Sequence, residues 1–385
     1  MDNLTKRKKA IEKYVIGVPF FDIIAELKVS ERWFYKWLNR YRLNPSGNWF
    51  EEESKRPKNI QNKYSEAQVA KVKRIRSQLL ADKYSQVGAV NIQYKLREEN
   101  EIMPVWVINR ILKRGQLIRR PEKSEKQTIP YPGDQYVHVH AMDLVGPRYI
   151  KGYGRVYFLN IMDLESHFVQ VMPLVSKQAE EILQAIIRFW QKIGTPDFLQ
   201  MDNELSFRGS NKYPRSYGKI VRYALFQRVT PIFIPCAEPW RNGVIEKFND
   251  TFDKRFFRQE RFLDLDDAIT KSIHFENYHN QNHRYSVLNQ RTPEKARAEK
   301  LFFFPLNNEC DIHQPISLKE GKVIIIRFIR SNLQLDIFGE KFKMPPHLQY
   351  SYVECIIDIE KEFMVIQRDQ KIELIIPYPI TGKEK

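Results

Sequence analysis

Apolar residues recur at helical intervals through the front of the chain. Ala10, Ile11, Tyr14 and Val15 give a first helix one apolar side. Pro19 can open a second, Phe20 to Leu27, and Ser30 can cap a third, Glu31 to Tyr41. On that third helix Phe34, Trp37, Leu38 and Tyr41 share one face, while Arg32, Lys36 and Arg40 recur at i, i+4 and i+8 on another. The pattern then repeats. Ser65 can cap a helix bearing Val69, Val72, Ile75 and Leu79, and a second helix runs from Val87 to Glu98. A third follows Pro104 with Val107, Ile108, Ile111 and Leu112 apolar, Arg110, Lys113 and Arg114 near its end, and Gly115 to stop it. Beyond residue 134 the period shortens. The stretches 137–143, 156–162 and 168–172 read as strands. A helix with Ile182, Ala185, Ile186, Phe189, Trp190 and Ile193 apolar follows, capped by Ser176 and ended by Gly194. Strands are then expected at 197–202 and 229–235, and after Gly243 the residues Ile245, Phe248, Phe252 and Phe256 draw a single helical stripe. The last part, 318–380, holds about five short strand-like runs, the pattern of a small β-barrel.

Composition adds a partner to this outline. The 385 residues carry a net charge of +16, with 42% hydrophobic residues, and the pI is about 9.5. The excess is uneven: residues 1–126 hold 28 Lys and Arg against 15 Asp and Glu, while the remainder is close to neutral. A basic front third built of two three-helix groups points to a polyanion, and two helix-turn-helix modules in tandem would each offer one helix to DNA. For the helix Glu31 to Tyr41 alone, a solvated basic face is an equally good reading. Cys236, Cys310 and Cys355 are too few and too scattered for a disulfide framework or a zinc module, which leaves reduced thiols and a cytoplasmic setting as the expectation. The N-terminus lacks the apolar stretch of a signal peptide, and no apolar run is long enough to span a bilayer.

The chemistry lies in three acids. Asp143 and Asp202 end strand-like runs, and Glu246 sits in the first turn of the helix that follows the Asn242-Gly243 turn. A carboxylate at a helix start has an ordinary role opposite the helix dipole. Three of them delivered to one point would instead need cations, and hard oxygen ligands suit Mg²⁺ or Mn²⁺. Such a group is the arrangement for two-metal phosphoryl transfer.

The order Asp143, Asp202-Asn203, Asn242-Gly243-x-x-Glu246 resembles the retroviral-integrase-like core of insertion-sequence transposases, over roughly residues 135–297. The tail Tyr278-His279-Asn280 to Arg291-Thr292-Pro293 is similar to the segment that closes that core. The resemblance implies an RNase H-like α/β fold, and a DNA transposase or integrase that cuts element ends and joins their 3′-hydroxyls to target DNA. It implies catalysis and metal binding by Asp143, Asp202 and Glu246 with two Mg²⁺ or Mn²⁺ ions, support from Asn203 and Asn249, and a homo-oligomer on double-stranded DNA at element terminal repeats and target, in the nucleoid. The expected organisation is a helix-turn-helix module at 1–45, a linker at 46–62, a second module at 63–118, a linker at 119–134, the core at 135–300 and a barrel at 318–380.

Other residues have two readings. Between Asp202 and Glu246 lie 43 residues, more than in the retroviral relatives, and the surplus falls in the basic, turn-rich stretch 207–218. Arg208 and Lys212 there, with Arg241, Lys247, Lys254 and Arg255, join the front cations as candidate DNA contacts. Asp250 and Asp253 on the Glu246 helix argue against contact by that face. Glu204, where the family carries glycine, is read as a supporting or exposed acid that is able to bind metal. Asp163 is read as structural, and His138 and His140 as packed or hydrogen-bonded rather than zinc ligands. Trp240 is read as a loop anchor ahead of a wedge between bases.

Overall fold

The computed structural model describes residues 2–52, 64–118, 129–210, 212–299, 304–307 and 309–383. Two compact units divide the chain, residues 1–65 and 66–385.

In the first unit, helices α1 (Asn3–Val15), α2 (Phe20–Leu27) and α3 (Glu31–Leu43) fall where the apolar spacing puts them. Ala10, Ile11, Ile23, Leu27, Phe34, Trp37 and Leu38 form their common core. Ser30 caps α3 as expected, accepting the N–H of Trp33 at 3.2 Å. The described residues of the expected linker at 46–62 pack on this bundle. Trp49 packs against Tyr41 with ring centroids 5.4 Å apart, and Arg7 donates to the carbonyl of Phe50 at 2.8 Å. Residues 53–63 lie outside the described residues.

The second unit opens with α4 (Glu66–Ala81), α5 (Ala89–Glu98) and α6 (Val105–Arg114). They bury Val72, Ile75, Leu79, Ile92, Leu96, Val107, Ile108 and Leu112. Residues 119–128 of the second expected linker lie outside the described residues. Its described end is docked: the ring of Tyr131 is buried 5.4 Å from that of Tyr352.

A mixed nine-stranded sheet follows. Its strands in chain order are β1 (Val139–Ile150), β2 (Gly154–Asp163), β3 (Val169–Leu174), β4 (Phe198–Met201), β5 (Thr230–Phe233), β6 (Lys322–Phe328), β9 (Tyr352–Asp358), β10 (Phe363–Arg368) and β11 (Lys371–Pro377). In space the order is β11-β10-β9-β6-β5-β4-β1-β2-β3. β1, β4, β5 and β6 are parallel, and the two flanks are antiparallel. β7 (Gln334–Ile337) and β8 (Glu340–Lys343) form a separate hairpin.

The sheet is apolar on both faces, which is why its central strands read as continuous hydrophobic runs. On one face Met142, Leu159 and Ile161 meet α7 (Ala179–Ile193) and α9 (Lys219–Phe226). On the other, Ala141, Phe158 and Met162 meet α10 (Gly243–Phe252) and α11 (Leu265–Asn282). α10 runs on into a wide turn at Asp253–Phe257, so Phe256 keeps its place in the buried stripe. Two short helices complete the unit, α8 (Leu205–Arg208) and α12 (Pro293–Ala298). Among the described residues no helix is long and apolar enough to cross a membrane.

Three expectations change. All five C-terminal runs are strands, but four of them continue the core's sheet instead of closing a separate barrel. β6 pairs in parallel with β5 at Ile232–Ile324 and Phe233–Ile325, and one hydrophobic cluster runs from α7 and α9 to Val353, Cys355 and Met364. β1 does not end at Asp143; its hairpin with β2 carries it seven residues further, to Ile150. α7 is capped at Gln178, and Ser176 instead bonds the carboxylate of Glu181.

Candidate active site

Two of the three acids are placed by neighbouring parallel strands. β1 and β4 pair from Val139–Phe198 to Ala141–Gln200. Two residues beyond that last rung come Asp143 and Asp202, and strands in a sheet lie about 4.8 Å apart. Asp143 remains in the ladder opposite Asn160 of β2. Asp202 begins the turn into α8, where its Oδ1 accepts the N–H of Glu204 at 2.9 Å.

Glu246 lies in the first turn of α10, a helix held down by buried Ile245, Phe248 and Phe252. One turn on, Asn249 bridges to the sheet: its amide nitrogen donates to Asp143, and its oxygen accepts from Asn160 at 2.7 Å. The turn before the helix is tied to β4, since Gln200 donates to the side-chain oxygen of Asn242 at 3.0 Å. Asn203 is held at both ends of its amide, donating to the carbonyl of Ile234 at 2.7 Å and accepting from Arg327 at 2.8 Å.

The electrostatics couple these groups. Burial raises Asp143 above the ordinary carboxylate range; the N–H of Leu144 and Asn249 oppose the rise, and the charges of Glu246 and Glu204 add to it. Burial is also the main cause for Asp202, which is pushed up to about 6; the N–H of Glu204 opposes, Asp143 and Glu204 add, and Lys177 pulls down. Glu246 is raised by burial. Glu204 is thus a fourth acid in electrostatic reach of both aspartates, and it is ion-paired with Lys177.

Among the described residues, no group of three or more His, Cys, Asp or Glu is arranged as a ready-made ion cage. In kind the donors fit a hard divalent cation, since all are carboxylate or amide oxygens. Burial and neighbouring carboxylates raise both Asp143 and Asp202, and a nearby cation would oppose that shift. Asn160, Lys177 and Arg327 escape the sequence reading. Asn160 was findable from the β1–β2 hairpin register, and Gln200 from its place two residues before Asp202 on the same strand face.

The candidate DNA contacts divide. Arg32, Arg110, Lys113, Arg114, Lys212, Lys247 and Lys254 are exposed. Lys36 and Arg40 stack over Trp37 and meet the segment 51–52 of their own unit. Lys247 and Lys254 pair with Asp250, at 3.6 and 2.6 Å, and Arg255 is half-buried beside them. Arg208 is half-buried over Phe338, 4.6 Å from the ring centroid. Arg241 is mostly enclosed, donating to the hydroxyl of Tyr352 at 2.6 Å and lying 4.2 Å from the ring centroid of Tyr131. Among the described residues of 207–218, Phe207 and Tyr217 are in the core and Arg215 pairs with Glu340 at 2.9 Å. Trp240 is 60% exposed, and Arg241 beside it ties the loop to Tyr352. His138 binds Asp197 at 2.8 Å, His140 packs 5.1 Å from Phe189, and Asp163 accepts from Ser166, all in structural roles.

A family model described as the integrase core domain matches residues 227–293. A search of curated proteins gave no match. Among solved structures, the HTLV-2 integrase catalytic core domain in complex with magnesium, in its dimeric form, is 18% identical, with a TM-score of 0.31, covering 42% of this chain and 95% of that one. The catalytic core domain of BIV integrase is 14% identical, with a TM-score of 0.31 and coverage of 43% and 95%. The simian T-cell lymphotropic virus intasome in complex with PP2A regulatory subunit B56 gamma is 13% identical, with a TM-score of 0.38 and coverage of 75% and 93%. The matched segment 227–293 holds Asn242-Gly243, Glu246 and the tail to Pro293, residues on which the sequence resemblance rests: the chain carries an integrase- or transposase-like core.

Proposed function

We propose that the protein is a DNA transposase or integrase that cuts phosphodiester bonds at the ends of a mobile element and joins the freed 3′-hydroxyls to target DNA. The observation that carries this reading is the placing of Asp143 and Asp202 past the same rung of two parallel strands, with Glu246 one turn from the Asn249 that binds Asp143. Asp143, Asp202 and Glu246 would hold Mg²⁺ or Mn²⁺, with Asn203 and Asn249 fixing the carboxylates' surroundings. When bound, two such ions supply activation of the attacking oxygen and stabilisation of the leaving one. The chain's own part is to orient the carboxylates and to keep them ionised once their charge is matched. α3 and α6 would be the recognition helices of two helix-turn-helix modules that hold the terminal repeats, and joining two ends would need more than one copy of the chain.

The test uses labelled duplexes from the inverted repeats that flank the coding region, with Mg²⁺ or Mn²⁺ and a target plasmid. Nicking at the repeat end and joining of the label to plasmid are expected. Asp143→Asn, Asp202→Asn and Glu246→Gln should each lose at least about a hundredfold in cleavage, the scale of removing one charge-stabilising group, and still bind DNA. Cleavage without joining would reduce the protein to a nuclease of this fold, and cleavage retained by any one variant would remove that residue from the site.

A further inference from the structure

The C-terminal strands reach the loop that carries Asp202 and the turn that leads into the helix of Glu246. Arg327 of β6 is 6% exposed, and each nitrogen of its guanidinium is engaged. Nε donates to the carbonyl of Asp336 at 3.0 Å, and Nη1 to those of Ile234 and Ile326 at 3.1 and 2.9 Å. Nη2 donates to the side-chain oxygen of Asn203 at 2.8 Å. Asn203 is the residue after Asp202, and its own amide nitrogen binds that same Ile234 carbonyl. A planar fork with fixed donor directions can span these acceptors at once; a lysine ammonium cannot.

The second contact lies on β9. The hydroxyl of Tyr352 accepts from Arg241 at 2.6 Å and donates to Glu238 at 2.5 Å. The Arg241 guanidinium also sits between aromatic rings, 4.2 Å from the centroid of Tyr131 and 4.6 Å from that of Tyr352. Residues 238–242 are the turn that enters α10, and Glu246 lies four residues beyond its end. A module appended only to touch DNA or another copy would need neither of these bonds.

We propose that residues 322–377 act as a positioning element for the catalytic acids, with Arg327 setting the Asp202 loop through Asn203 and Tyr352 setting the turn into the Glu246 helix through Arg241. The proposal rests on the reading of Asp202 and Glu246 as the reacting site's acids. Arg327 and Tyr352 touch neither substrate nor metal in this scheme; they are positioning residues.

The experiment takes the full chain as wild type, Arg327→Met, Arg327→Lys, Tyr352→Phe and Asp202→Asn. Each is measured for kcat and KM of end cleavage, for equilibrium DNA binding in EDTA, for Mn²⁺ binding by the spin resonance of the free ion, and for Tm. Tyr352→Phe keeps the ring and removes one hydroxyl, so it decides the matter even if the Arg327 variants do not fold. The expected result is a 10- to 100-fold fall in kcat for Tyr352→Phe and Arg327→Met, the scale of a small misplacement at a reacting centre, with DNA affinity unchanged. Mn²⁺ binding should weaken in both, and Arg327→Lys should recover only part of the loss. Unchanged kcat in a folded Tyr352→Phe, or a loss confined to KM and DNA affinity, overturns the proposal while Asp202→Asn remains inactive. Full cleavage by Asp202→Asn overturns the underlying reading instead, and the proposal with it.

Discussion

At the scale of single residues, the proposed acids are marked by their neighbours: Asn203 beside Asp202, and Asn242-Gly243 ahead of Glu246. What fixes them is not so marked. Asn160 follows only from the hairpin register, and Lys177 and Arg327 carry no local signature. Asp202 also has a measurable consequence before any ion binds. Its carboxyl is raised from an ordinary 3.8 to about 6, chiefly by burial. A carboxyl raised on folding favours the folded state while protonated, and that contribution fades as pH rises through about 6. Asp202→Asn stays neutral, so in EDTA its Tm should match wild type near pH 4 and exceed it above pH 6. At about 1.4 kcal/mol per tenfold change in proton affinity, the gain is at most about 3 kcal/mol, and less where water reaches the carboxyl. Parallel Tm curves from pH 4 to 8 would remove this account. Lys177 works in the opposite sense, since its charge lowers Asp202. Lys177→Met should therefore move the acid limb of the pH–rate profile to higher pH; a limb that stays or moves down would dissociate Lys177 from the site.

At the scale of elements, periodicity found the longer helices whose buried face is apolar, and missed the short α9, although its buried face is apolar, and α11, whose buried face is largely polar. α10 shows its stripe in Ile245, Phe248 and Phe252. α11 buries Ser272, Glu276, His279 and Asn280 beside Ala268 and Phe275, so no stripe stands out. Its task explains the choice. β3 is an edge strand, and α11 covers its backbone with side chains: Glu276 accepts from the N–H of Val171 at 3.1 Å, and Asn280 both accepts from and donates to Val169. An edge covered in this way is closed to pairing with another chain. In the first unit an acidic segment lies on the basic face of α3. Lys36 approaches Glu52 at 3.7 Å, Arg7 meets the same carboxylate at 3.2 Å, and Arg40 donates to the carbonyl of Glu51 at 2.8 Å. These exposed pairs are worth only about 0.2–1 kcal/mol each, but DNA would have to displace them. Glu51→Gln with Glu52→Gln should tighten DNA binding about two- to fivefold, measured by fluorescence anisotropy at fixed salt. Equal or weaker binding would mean that α3 does not meet DNA through this face.

At the scale of the whole molecule, the alternation of elements announced a helical front, an α/β core and a strand-rich end. The join between core and end stayed hidden because β5 and β6 are brought together from far apart in the chain, by two rungs of parallel pairing that leave no local mark. Charge is a property of this scale as well. The front 126 residues hold nearly all of the net positive charge, so the phosphate contacts should come from there and not from the near-neutral remainder. Each phosphate neutralised contributes about −0.9 to the slope of log K against log salt. Neutralising Arg110, Lys113 and Arg114 together, all in or beside the exposed end of α6, should make the slope shallower by about 0.9 for each phosphate that these cations neutralise in the wild type. Arg241→Gln is the control. Its guanidinium is engaged by Tyr352, Glu238 and the ring of Tyr131, so removing its charge should leave the slope as it was and lower cleavage through the disturbed loop. Measured in EDTA on one duplex across a salt series, the two variants should part cleanly. A slope that falls with Arg241 and ignores α6 would put the DNA on the core's loops, and would move the anchor out of the basic front of the chain.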